Sequence, residues 1–232
     1  MAKRLTKKQK QQQQLIFLGA GILAALLVVA FIVYQMIPSG AELPDGVMTK
    51  YEGLQQSTTA QGYAQLGNPD APILVQEFSS FTCPFCKELH EDIISPELLP
   101  LIKDGQVRLV FAPINLNHDE KEPNMIRTAM CALEQEKFFE MHDVLFHWQG
   151  RVSFSDGRIE DAASELGLDT DSFMNCYNSN RADRIAQAAI QDLRDRGLNI
   201  STPTVFVNRI QVDPFAEMML TINSLLESAT EE

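Results

Sequence analysis

Apolar and polar positions follow one another along this chain with changing period, and the changes mark its elements. From Leu15 to Tyr34 the stretch LIFLGAGILAALLVVAFIVY is apolar on every side. Pro38 to about Gly67 follows, rich in Gly, Ser, Thr, Gln and Pro without sustained periodicity. It predicts a stalk, with room for one short strand near its end. The turn cluster Asn68-Pro-Asp-Ala-Pro72 then opens a compact region, and Ile73–Phe78 reads as a buried strand. After it, Cys86, Leu89, His90 and Ile93 recur at spacings of three and four, the mark of a helix. Ser95-Pro96 has the form of a cap and first-turn proline, predicting a further helix through Ile102. Val107–Ala112 is a second strand. Met125–Phe146, free of Gly and Pro, predicts a long helical region. Asp156-Gly157 introduces a helix with Ile159, Ala162, Ala163 and Leu166 on one side, and another spans about 182–196. The sheet returns at Thr204–Val207. A last helix starts at Asp213-Pro214 with a stripe of Phe215, Met218, Met219, Ile222, Leu225 and Leu226. Strand, helix, strand, a block of helices, strand, helix is the order of an α/β domain with a helical insertion around one core.

The first apolar block is long enough to cross a membrane, since its twenty residues rise to roughly 30 Å as a helix. Lys3, Arg4, Lys7, Lys8 and Lys10 precede it, the next cation is Lys50, and no acid occurs before Glu42. The positive-inside bias then keeps the amino terminus in the cytoplasm and exports the body. The expected organisation is a basic leader (1–14), a single transmembrane helix (15–37), a stalk (38–66) and a folded domain (67–232) with its helical insertion at about 115–198. Cleavage at Ser39-Gly-Ala41, as a signal peptide, is the alternative.

Charge narrows the partners. The net charge is -12, and setting aside the five leading cations leaves about -17 on the rest. So acidic a body repels nucleic acid. Export has a second consequence: outside the cytosol disulfides form and persist.

The candidate chemistry lies in FSSFTCPFCKELH, residues 78–90. Zinc wants four ligands, usually in two close pairs, and here the second pair is missing, because Cys131 and Cys176 lie 45 positions apart. The four histidines form no ligand spacing. As a staple, a Cys83–Cys86 bridge closes so small a loop that it would stabilise by only about 2 kcal/mol, against about 4 for a Cys131–Cys176 loop. As a redox pair the arrangement makes physical sense. Cys83 stands at the start of a helix, where free backbone N–H groups favour a thiolate, Pro84 suits the first turn, and Cys86 follows one turn later.

LGNPDAPILVQEFSSFTCPFC and Ser201-Thr-Pro-Thr-Val-Phe-Val-Asn208 resemble the DsbA-like thiol:disulfide oxidoreductases of the thioredoxin fold, over about Leu66 to the C-terminus. The wide gap between these two landmarks resembles the helical insertion of that branch. The likeness implies roles by position. Cys83 is the exposed thiol that meets substrate, and Cys86 is its buried partner. Pro203 is a cis-proline that holds the Thr202 backbone against a substrate strand. Glu77 is a buried acid proposed to relay protons, its alternative being a solvent-facing strand residue. Phe85 stands where the best-known oxidases carry histidine, so an imidazole's help to the thiolate is absent, and it joins Thr202 and Pro203 as a candidate substrate contact. The likeness also implies a second, structural disulfide between Cys131 and Cys176, the alternative being two unpaired core thiols. His90, one turn after Cys86, is expected to be a half-buried packing residue, its alternative being an electrostatic tuner of the pair. His142 and His147 are expected to pack, and Arg209 replaces the usual glycine after Asn208.

The expected function is a membrane-anchored, extracytoplasmic oxidoreductase that needs no metal or organic cofactor. It would introduce disulfides into unfolded exported proteins with free cysteines, and a quinone-linked membrane oxidase would reoxidise it. An envelope reductase or isomerase, and a non-catalytic peptide-binding tether, are the alternatives.

Overall fold

The protein is described from a computed structural model that covers residues 41–116 and 120–230, and in the amino-terminal unit residues 17, 19–23 and 25–28. The last three groups are helical, and their side chains Phe17, Ile22, Leu23, Leu26, Leu27 and Val28 are exposed. The leader and the rest of the expected 15–37 span lie outside the described residues. Among the described residues no helix is long and apolar enough to cross a membrane.

From residue 41 the chain folds around one sheet. A one-turn helix α1 (Val47–Lys50) comes first, then β1 (Gln56–Thr58), β2 (Ala64–Leu66) and β3 (Ile73–Ser79). The chain crosses from β3 to the parallel β4 (Val107–Pro113) through α2 (Pro84–Leu89), a π-helical stretch (His90–Leu98) and α3 (Leu99–Lys103). Between β4 and β5 (Thr204–Val207) come α4 (Glu122–Leu133), α5 (Phe138–Trp148), α6 (Asp156–Glu165), α7 (Thr170–Tyr177) and α8 (Arg181–Asp195). β6 (Ile210–Val212) and α9 (Met218–Thr230) end the chain. The spatial order is β1-β2-β4-β3-β5-β6, with β3–β4 parallel and the other pairs antiparallel. This is a thioredoxin-type α/β core with a helical insertion.

Alternation along β3 decides what faces the chemistry. Ile73 and Val75 enter the larger core with Leu89, Phe111 and Val205, whereas Phe78 enters a smaller core under Ala189 and Leu193 of α8. Glu77, two residues after Val75, shares the larger-core face, flanked in the sheet by Phe111 and Val205. Cys131 of α4 and Cys176 of α7 are bonded, with Cα atoms 5.6 Å apart.

Four expectations are corrected. The segment 41–66 is no stalk: it is part of the compact unit, with Ala41, Val47, Tyr51, Ala64 and Leu66 buried. Its two strands have three residues each, too short for a period to show. Gly67 lets it dock closely, since its φ is 96° and a Cβ there would lie 2.7 Å from Ile102 Cγ2. Ser95-Pro96 starts no helix. Pro96 sits inside the π-helical stretch, whose wider turn accommodates a residue that lacks an N–H and crowds the preceding turn. The region 125–146 is broken at Glu134–Lys137, where Glu136 takes φ 58° without a glycine to announce it. The final helix begins at Met218, and Phe215 lies outside its buried stripe, 43% exposed, in a turn capped by the Asp213 carboxylate.

Candidate active site

Cys83 is the N-cap residue of α2 and Pro84 the first helical residue, so the thiol stands at the positive end of the helix. The two thiols are unbonded, and Cys83, expected to be exposed, is buried at 7% exposure, though less so than Cys86 at 0%. Cys83 Sγ donates to the carbonyl of Thr202 at 3.3 Å, and the Thr202–Pro203 bond is cis. The fold thus carries the two landmarks, 119 positions apart, into contact. They border a groove of about 520 Å³ lined by Thr82, Cys83, Pro84, Leu116, Ile200 and Thr202. Phe85 does not line it, and is 59% exposed.

The environment splits the two thiols. Cys83 is lowered to about 6, chiefly by a hydrogen bond from Cys86. Burial opposes the lowering, and the Thr202 side chain and the backbone N–H groups of Cys86 and Phe85 contribute to it. Burial pushes Cys86 far up, aided by the bond it gives to Cys83 and by the charge of Glu77. Glu77 is itself raised to about 7, chiefly by burial; Ser79 opposes this and Cys83 adds to it. Its Oε1 has no hydrogen-bond partner, which favours the neutral acid. Glu77, Cys83, Cys86, Thr202 and Pro203 therefore form one site, and the bonded Cys131 and Cys176 lie apart from it in the insertion.

The insertion also holds the loop that carries Cys83. Glu122, wholly buried at the start of α4, accepts from the hydroxyls of Ser80 and Thr82 and from the N–H of Leu116 at 2.8 Å. Gln149, capping α5, donates its amide to the carbonyls of Phe81 and Cys83, at 2.9 and 3.0 Å. Neither residue carries a motif, and each is found only through its contacts. His90 departs from its expected half-buried packing. It is 3% exposed, and its Nε2 lies 2.6 Å from Asp143 Oδ1. His142 is 1% exposed among Phe111, Phe138, Phe139 and Phe146, and burial pushes it down to about 3, so it is neutral. Asn208 takes the left-handed conformation, φ 55°, that leads the β5–β6 turn, so Arg209 need not be glycine.

With a helical insertion whose residues reach the loop of the cysteine pair, the fold resembles the DsbA-like branch of the thioredoxin fold rather than a plain thioredoxin. The Thioredoxin_4 family profile, described as thioredoxin, matches residues 59–223, and the chain belongs to that family. It is 34% identical to the Na(+)/H(+) antiporter NhaA 3 of Salinispora tropica over 145 residues, 61% of this chain and 21% of that protein. It is 24% identical to a putative protein-disulfide oxidoreductase of Rickettsia conorii over 170 residues, 72% of this chain and 60% of that protein. The chain thus spans about a fifth of the first relative and three fifths of the second. Among solved structures it is similar to MdbA, a thiol-disulfide oxidoreductase from Corynebacterium matruchotii. The TM-score is 0.63 and the identity 18%, over 72% of this chain and 91% of that one, a likeness of fold.

Proposed function

We propose that the protein is a membrane-anchored dithiol oxidase that introduces disulfides into exported proteins. The observation that carries this reading is the opposite displacement of the two thiols, Cys83 down and Cys86 up. A substrate thiolate attacks Cys83 Sγ in the Cys83–Cys86 disulfide, the S–S bond breaks, and Cys86 leaves and takes up a proton. Glu77, near 7, is suited to deliver that proton. A second substrate thiolate then attacks the substrate sulfur of the mixed disulfide and expels Cys83 as a thiolate. Two electrons have passed to the enzyme. Of the two substrate protons, Cys86 holds one and the other goes largely to solvent.

Two features favour this forward step over its reversal. Cys83 is the better leaving group because its thiolate is stabilised. Reversal would need Cys86 as a thiolate, which burial, the largest cause of its raised pKa, opposes. A disulfide in the insertion suits an oxidising compartment. The apolar run Leu15–Tyr34 behind five cations supports an anchor with the domain outside the cytoplasm. The half-buried Thr202 at the edge of the Ile200–Leu116 groove suits an extended, partly apolar segment of unfolded protein with free cysteines. A quinone-linked membrane oxidase is the proposed acceptor of the electrons, and tethering both partners raises their encounter rate.

The test is equilibration of the purified chain with glutathione, together with carbonate extraction of membranes. A potential well above thioredoxin's, about -270 mV, and retention in the membrane pellet are expected. A potential at or below thioredoxin's overturns the oxidase reading, and release by carbonate overturns the anchor.

A further inference from the structure

One buried carboxylate gathers groups from three distant parts of the chain. Asp143, on α5 of the insertion, receives His90 Nε2 at 2.6 Å, the Tyr51 hydroxyl at 2.9 Å and the Lys50 ammonium at 2.7 Å. Lys50 also donates to Ser95 Oγ at 2.8 Å, in the π-helical stretch. His142 Nδ1 stands 3.4 Å from the same carboxylate. Burial pushes the Asp143 carboxyl up, but its histidine neighbours hold it well below the usual range, so it is ionised and accepts from every partner. His90 must then be the donor through Nε2. The backbone N–H of His90 bonds the carbonyl of Cys86, one turn back.

The anchor falls where the active-site helix changes pitch. α2 has six residues, and at His90 its pitch changes from α to π. Helix continues without a break from there through the π-helical stretch and α3, so a hold on His90 acts at the junction between the turn that bears the cysteines and the rest of the helix. The same cluster reaches the other side of the cysteines, since the Phe81 ring lies 5.7 Å from His142 and 5.4 Å from Phe146. A metal is the competing occupant of His90, His142 and Asp143, which form the one such group among the described residues. Two ligands on a tetrahedral zinc at about 2.0–2.1 Å stand about 3.3 Å apart. The 2.6 Å between Nε2 and Oδ1 is a hydrogen bond, and Lys50 already supplies the positive charge.

We propose that Asp143 is a positioning residue for the thiol exchange: it fixes α2 through His90, and through Lys50 and Tyr51 it makes that hold depend on the docking of the segment before β1. This deepens the oxidoreductase reading and rests on it. The N–H groups that favour the Cys83 thiolate belong to α2, so a loosened α2 presents them less well.

The experiment uses the full-length protein and measures the pH midpoint of Cys83 alkylation and the glutathione equilibrium. Tyr51→Phe, Lys50→Met and Asp143→Asn are each expected to slow alkylation at pH 6 by about twofold or more, half a pKa unit. The Tyr51 and Lys50 changes are expected to add nothing once Asp143 is Asn. His90→Gln, whose amide can donate to Asp143, is expected to keep the wild-type midpoint, and His90→Phe to lose it. Arg127→Met breaks the Arg127–Asp183 pair elsewhere in the fold and controls for general destabilisation. If the Asp143, Lys50 and Tyr51 variants lose stability like Arg127→Met while the midpoint stays at the wild-type value, Asp143 is merely structural and the inference fails. Stoichiometric zinc retained by the wild type and lost in Asp143→Asn also overturns it. A wild-type potential near thioredoxin's sinks the oxidase assignment instead, and leaves the comparison among variants readable.

Discussion

Suppose the Cys83–Cys86 pair is reduced and the pH is raised from 5 to 8. Cys83 titrates near 6 when folded, against a reference of 9.0. Its folded pKa is depressed, so its contribution to stability is complete above 9 and is lost as pH falls through 6. Between pH 5 and 8 that contribution grows by about 2.5 kcal/mol in the reduced protein. The oxidised protein has no such thiol and serves as the reference in which titrations common to both forms cancel. In urea, with a slope of about 2.5 kcal/mol/M, the reduced form should gain about 1 M in midpoint over the oxidised form across that range. Alkylation reads the same event directly, because about 90% of Cys83 is thiolate at pH 7 if its pKa is 6, and about 1% if it is 9. A stability gap that ignores pH, or an alkylation midpoint near 9, would refute the account of how α2 and Cys86 activate this sulfur.

Glu77→Gln should stabilise the protein by up to about 3 kcal/mol at pH 8 and by little at pH 4. The raised folded pKa, about 7, means that Glu77 costs stability as pH rises. The same variant should slow turnover if Glu77 supplies the proton to Cys86, and stopped-flow oxidation of a dithiol peptide checks that. Replacing Cys131 and Cys176 together by Ser should cost about 4 kcal/mol in urea denaturation while leaving the Cys83 alkylation midpoint in place. Gln149→Ala removes both amide bonds to the carbonyls of Phe81 and Cys83, a loss of about 1–2 kcal/mol. Its turnover should fall more than its stability implies, and parallel denaturation and activity curves would show otherwise.

What the sequence made legible follows a physical rule. The strands Ile73–Ser79 and Thr204–Val207 were readable because each is a short apolar run between breakers, and their burial leaves the sequence little choice. The cysteine pair was readable because N-capping chemistry is local, confined to Cys83, Pro84 and Cys86. The contact of Cys83 with Thr202 spans 119 positions and was reachable only through family resemblance. Glu122, Asp143 and Gln149 were not legible at all. Each is an ordinary polar residue on a helix, and its partners are backbone groups or side chains dozens of positions away. The folded role of 41–66 was hidden for a related reason, since its strands are stabilised by the edge of β4 rather than by their own composition.

Composition points the wrong way at the site itself. A body with a net charge of about -17 should resist one more negative charge, yet Cys83 is drawn toward the thiolate. The contradiction dissolves with distance. Exposed carboxylates beyond about 8 Å are largely screened at physiological salt, whereas the Cys86 thiol and the α2 N–H groups act at contact. Of the two acids that grip the site from the insertion, Glu122 is tied to the hydroxyls of Ser80 and Thr82, and Asp143 to Lys50, Tyr51 and His90. Neither is among the groups that move Cys83. Their effect on the sulfur is to hold dipoles still, and dipoles fixed before the reaction need no reorganisation as charge develops. On this view added salt should leave the Cys83 midpoint almost unchanged, whereas a control that placed an unpaired carboxylate against the groove, Thr82→Asp, should raise it and restore a salt dependence that the native site lacks.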